Sequence, residues 1–99
     1  MLVTLQKSVT TADENFFFIF RRELKIPIEP IIGMSIKGLC DDETESDDTV
    51  VHIFYNLKTK ELILIMDDSI HDTTHYDSVA IIKQRHANWV LIKQENLHV

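Results

Sequence analysis

Residues 49–68 constrain this chain more than any other stretch. The run Val50, Val51, His52, Ile53, Phe54, Tyr55, Asn56, Leu57 is followed by the polar break Lys58, Thr59, Lys60, and then by Glu61, Leu62, Ile63, Leu64, Ile65, Met66. Two short apolar runs around so brief a break predict a β-hairpin. Successive strand residues point to opposite faces, so Val51, Ile53, Tyr55 and Leu57 share one face of the first run. Val50, His52, Phe54 and Asn56 share the other. Both faces of both strands are largely apolar, which predicts a central position in a sheet, covered on both sides.

The rest of the chain agrees with a strand-rich fold. Ile, Val and Thr are abundant while Ala and Gly are scarce. Branching at Cβ restricts rotamers in a helix and packs well on a pleated sheet. Ile32, Met34 and Ile36 alternate on one face of 31–39, and Pro27 and Pro30 forbid a helix just before them. Segment 16–24 reads two ways. Its run Phe16, Phe17, Phe18, Ile19, Phe20 favours a strand, which is the preferred reading. Against it, Thr11, Ala12, Asp13 and Glu14 match a capping box, and Phe16, Phe20 and Leu24 fall at helical spacing. In 79–93, the apolar residues of 78–82 and 89–93 flank a polar run at 83–88 and predict a second hairpin. A helix beginning near Asp77, capped by Asp77 or Ser78, is the rival. The sum is a mostly β domain (all-β or β-rich α+β) of six to seven short strands, a small antiparallel sandwich or open barrel with room for one helix.

All 99 residues fit one domain, with no internal repeat and no Pro- or Gly-rich linker. The longest apolar runs fall far short of the roughly 20 residues that span a bilayer. Residues 1–7 lack the basic start and long apolar stretch of a secretory signal. The lone cysteine, Cys40, leaves no intrachain disulfide. A cytoplasmic protein is expected.

The formal charge is −6, and it is not spread evenly. Asp41, Asp42, Glu43, Glu45, Asp47 and Asp48 lie within eight residues, and the other ten acids balance the ten Lys and Arg. Segment 41–48 is therefore expected as an exposed acidic loop. A neutral remainder lacks the basic face that nucleic-acid binding requires.

Catalytic chemistry is hard to find. Asp67, Asp68, His71, Asp72 and His75 form the one cluster of metal-ligand types, and His71 and His75 would share a helix face. Yet Asp72 stands where a zincin carries Glu, and the segment reads as a turn-rich connector. Cys40 sits beside acids, which raise a thiol's pKa. Gly33 and Gly38 are the only glycines, too few for a phosphate-binding loop. His52, His86 and His98 are scattered, and Arg21, Arg22, Lys58 and Lys60 read as solubilising charges.

These observations lead to a non-enzymatic protein-interaction module without cofactor: a small acidic inhibitor, immunity or accessory protein. It would engage a basic partner partly through Asp41, Asp42, Glu43, Glu45, Asp47 and Asp48. Two alternatives stand beside it. One is a metal-binding protein or metal-dependent enzyme using the cluster at 67–77. The other is a structural homodimer, because the aromatic run at 16–20 exceeds what one strand face can bury.

Overall fold

The N-terminal strand organises the molecule. In the computed structural model, which describes residues 1–39, 48–71 and 78–96, β1 (Leu2–Thr11) lies inside an open sheet of seven strands. On one side it pairs antiparallel with β2 (Phe16–Lys25), and β2 pairs antiparallel with β7 (Val90–Asn96). On the other side β5 (Glu61–Met66) and β6 (Ser69–His71) run parallel to it in succession. The register slips by one residue between Thr4↔Ile63 and Thr10↔Ile70. β5 also pairs with β4 (Asp48–Asn56), and β4 with the two-residue β3 (Ser35–Ile36). One helix, α1 (Ser78–Arg85), precedes β7.

The hairpin expected at 49–68 is β4 and β5, and the strand preferred at 16–24 is β2. The capping-box residues close the β1–β2 turn instead. Thr11 Oγ1 accepts from the Phe16 N–H at 3.0 Å and donates to Asp13 Oδ1 at 2.7 Å. Asp13 Oδ1 also accepts from the Asn15 N–H at 3.0 Å, and Glu14 takes φ 60°. Short polar side chains serve caps and turns by the same side-chain-to-backbone bonds, which is why the pattern read both ways.

Two expectations are corrected. Segment 79–93 is not a hairpin, since 78–85 is helical and the strand after it pairs with β2. Val79, Ile82 and His86 recur at helical spacing and turn one side of this segment into the core. Nor is β4 covered on both sides. β5 holds the central place, and the strands lie in one sheet rather than two facing ones.

The core lies on one face. Val3, Leu5 and Val9 of β1 meet Phe18 and Phe20 of β2, Leu64 and Met66 of β5, and Val50 of β4. Ile82 of α1, Trp89, Ile26 just after β2 and Leu39 just after β3 complete it. The chain is pinned at Leu39. The Leu39 carbonyl accepts from Arg22 Nη1 at 3.0 Å and from Trp89 Nε1 at 3.1 Å. No helix among the described residues is long and apolar enough to cross a membrane.

Candidate functional site

Three places in the described structure carry chemistry that packing alone does not use. The first is a polar cluster inside the core. Alternation along β1 turns Val3, Leu5, Lys7, Val9 and Thr11 inward, so one ammonium group faces the apolar side of the sheet. Lys7 Nζ sits 3.0 Å from Asp48 Oδ1, with the two side chains only 2% and 7% exposed. Burying such a cation is unfavourable by several kcal/mol unless a counter-ion accompanies it. His86 lies nearby, stacked on Phe20 at 4.4 Å and edge-on to Trp89 at 6.0 Å. Its Nδ1 is 2.7 Å from the Ile82 carbonyl. A carbonyl only accepts, so Nδ1 carries the proton and Nε2 keeps a lone pair. Nε2 is buried and has no hydrogen-bond partner. Desolvation holds the imidazole pKa below its ordinary value; the Ile82 carbonyl opposes this and the Lys7 charge adds to it. The cluster is thus a buried ion pair beside a buried imidazole whose pKa is lowered.

The second place is an open hollow of about 670 Å³ lined by Thr4, Arg21, Glu61, Val90 and Ile92 among others. Thr4, Glu61 and Arg21 have side-chain partners. Thr4 Oγ1 donates to Glu61 Oε2 at 2.9 Å, and Arg21 Nε donates to Gln6 Oε1 at 2.9 Å. The Thr4 hydroxyl, then that of Thr59, then the Arg21 charge lower the Glu61 pKa. A carboxylate held ionised in this way is a poor proton donor near neutral pH. No hydroxyl or thiol in the lining stands beside a histidine that could activate it.

The third place is the outer side of β4. Its beginning is covered: Val50 donates to the Met34 carbonyl at 2.9 Å and accepts from the Gly33 N–H at 2.7 Å. Gly33 reaches this position with φ 93°, a conformation that suits a residue without Cβ. Past Val50, no described strand pairs with β4 on that side. Phe54 and Tyr55 are each about half exposed, and Leu57 at the tip is 81% exposed. The tip itself is ordered by Asn56, whose Oδ1 accepts from the N–H groups of Lys58 at 2.9 Å and Thr59 at 3.3 Å.

The structure sorts the residues singled out from sequence unevenly. Asp48 opens β4 and is buried against Lys7, a correction to its placement in an exposed acidic loop at 41–48. Asp41, Asp42, Glu43, Glu45 and Asp47 lie outside the described residues, as do Cys40, Asp72 and His75. Of the remaining candidate ligands, Asp67 and Asp68 are exposed and His71 closes β6. Among the described residues, no three His, Cys, Asp or Glu side chains gather as a metal would require. Lys7 and Thr4 were missed. A charge at one inward position of an otherwise alternating strand was the available signal for Lys7. Compared with known proteins, the chain matches no family model, no curated protein and no solved structure.

Proposed function

We propose that this chain is a non-enzymatic, cytoplasmic protein-interaction module, a small inhibitor, immunity or accessory protein that presents an acidic segment to a basic partner. The observation that carries the reading is the concentration of the whole net charge of −6 in residues 41–48. The frame around the segment supports it. Leu39, just before, is held by two side-chain donors, and Asp48, at its end, is held by Lys7. Five carboxylates, Asp41, Asp42, Glu43, Glu45 and Asp47, thus lie in sequence between two held residues, Leu39 and Asp48. Asp48 belongs to the frame, and neutralising it would test folding rather than binding.

The test replaces those five with Asn or Gln and leaves Asp48 in place. Wild type and variant are first used to isolate a partner from the native host, and association is then timed with that purified partner. Steering by opposite charge raises association rates by about tenfold or more at low salt. The variant should therefore bind at least about tenfold more slowly there, and the gap should close as salt screens the exposed charges. Equal association rates for both proteins at low and at high salt would refute the acidic segment as the docking element.

A further inference from the structure

We propose that the edge of β4 past Val50, which no described strand pairs, is a self-association surface, on which a second copy of this chain pairs antiparallel, with the two-fold axis at Phe54. The inference goes beyond the acidic segment and does not depend on it.

A mismatch between pattern and place starts the argument. Residues 51–57 hold no charge, proline or glycine, and they read as a strand from the middle of a sheet. In this fold they lie at its margin. Exposed edges offer unpaired N–H and C=O groups, and monomeric proteins guard them with charges, prolines or bulges. The other margin is guarded: β7 carries Lys93 and Glu95, joined at 2.9 Å, and its register against β2 shifts between Leu91 and Lys93. The register shift in β4 falls between Val50 and His52, at one end of the free stretch, and leaves the residues after it regular.

The free stretch sets the register of a partner strand. It begins after Val50, which Gly33 and Met34 occupy, and ends at Leu57, where the turn starts. Its midpoint is Phe54. A two-fold there sets Phe54 opposite its own copy, Ile53 opposite Tyr55, His52 opposite Asn56, and Val51 opposite Leu57. Every apolar residue then faces an apolar one, and the polar pair face each other. An interface of this symmetry needs that self-complementarity. Aromatic and β-branched residues in opposed pairs are the favourable cross-strand combination.

The same geometry brings each hairpin tip toward the turn before Gly33 on the other copy, where Ile31 and Ile32 are exposed. With Phe54, Tyr55 and Leu57 these offer on the order of 500 Å² of surface per copy. Two copies would bury on the order of 1,000 Å², the lower bound of a specific interface. A weak, concentration-dependent dimer is the expected result.

The experiment uses the full chain. Sedimentation velocity from about 1 to 500 µM should show a reversible monomer–dimer equilibrium. Phe54→Lys sets two ammonium groups opposite each other at the axis and should weaken the dimer at least about a hundredfold. Because Phe54 is half exposed, the variant should keep the wild-type circular dichroism spectrum. A second variant reads the register directly. With Cys40→Ser removing the native thiol, Phe54→Cys places two thiols in an opposed pair about 4.5–5.5 Å apart at Cα, within disulfide range. Oxidation should convert most of it to a cross-linked dimer, while Val90→Cys in the same background stays monomeric. A chain that is monomeric at 500 µM would sink the proposal. So would a dimer that Phe54→Lys leaves intact, cross-linking as efficient through Val90→Cys, or an edge that takes up only a strand from a different protein.

Discussion

At one margin of the sheet β7 exposes Val90, Leu91 and Ile92; at the other, past the two residues of β3, β4 exposes Phe54 and Tyr55. Both strands carry exposed apolar residues, and among the described residues no further strand pairs beyond either of them over these stretches. They differ in what interrupts the pattern. In β7 a register shift and a Lys–Glu pair break up the line of backbone groups. In β4 the interruptions fall at the two ends of the free stretch, with the register shift at its start and Lys58 and Lys60 beyond its end. A margin is made safe by where its charges and shifts fall, and apolar content alone does not distinguish a guarded edge from a docking edge.

The ion pairs at the two margins differ in the same way, and the largest expected effect lies there. Asp48, the first residue of β4, neutralises Lys7 in the core. Asp48→Ala should destabilise the fold by about 3–5 kcal/mol, because it leaves a buried cation unpaired. Lys93→Ala at the opposite margin removes one partner of a pair that is about half exposed. It should shift stability by less than about 1 kcal/mol. Urea midpoints of both variants, read with the wild-type slope, measure the contrast. Similar losses would mean that burial does not set the difference.

Next in size is the contrast in association. Giving β4 a charge through Phe54→Lys should abolish dimer formation at micromolar concentration. Removing the charged guard from β7 with Lys93→Thr and Glu95→Thr should do the reverse and promote concentration-dependent assembly, visible by light scattering. Salt sharpens the comparison. Each copy carries net charge −6, so screening should strengthen a dimer of like-charged copies while weakening binding of the acidic segment to a basic partner.

A smaller effect separates the buried face from both margins. The folded-state pKa of His86 is lowered, chiefly by desolvation, while the unfolded value is about 6.5. Below that value the unfolded chain binds a proton that the folded chain resists. Stability should therefore fall as pH drops below about 6.5, until the folded-state pKa is reached. Melting temperatures at pH 7.5 and 5.5 should show this drop in the wild type. His86→Phe, which keeps a ring against Phe20, should reduce it. An unchanged drop in the variant would assign the pH dependence to other groups.

The fold was legible where pattern and burial agree. β4 from His52 onward and β5 alternate regularly, and the polar break between them is a turn. β2 was legible because five bulky residues in a row favour strand over helix. β1 was not, because Gln6, Lys7 and Ser8 hide an alternation that only its neighbours make sense of. The helix was misread because Val79, Ile81 and Ile82 fit a strand as well as a short helix, and tertiary packing decided between them. Asp48 was read with its acidic neighbours because composition cannot show which member of a cluster turns inward. The free edge of β4 could not be seen for a related reason. Strand order is set by long-range pairing, and nothing local in 50–57 says which side stays open.

That long-range pairing also bears on how the molecule forms. β1 and its parallel neighbours β5 and β6 are about 60 residues apart in sequence. The β1–β2 hairpin can close early through its short turn, but Leu5, Phe18 and Phe20 then wait for partners that arrive much later in the chain. Pairings of such separation lose loop entropy before they return any burial, and they slow folding. A ribosome-bound intermediate ending before residue 61 would hold a closed hairpin with one greasy, unclad side. Such a species is a natural client for chaperones, and the C-terminal third of the chain acts as the latch that retires it.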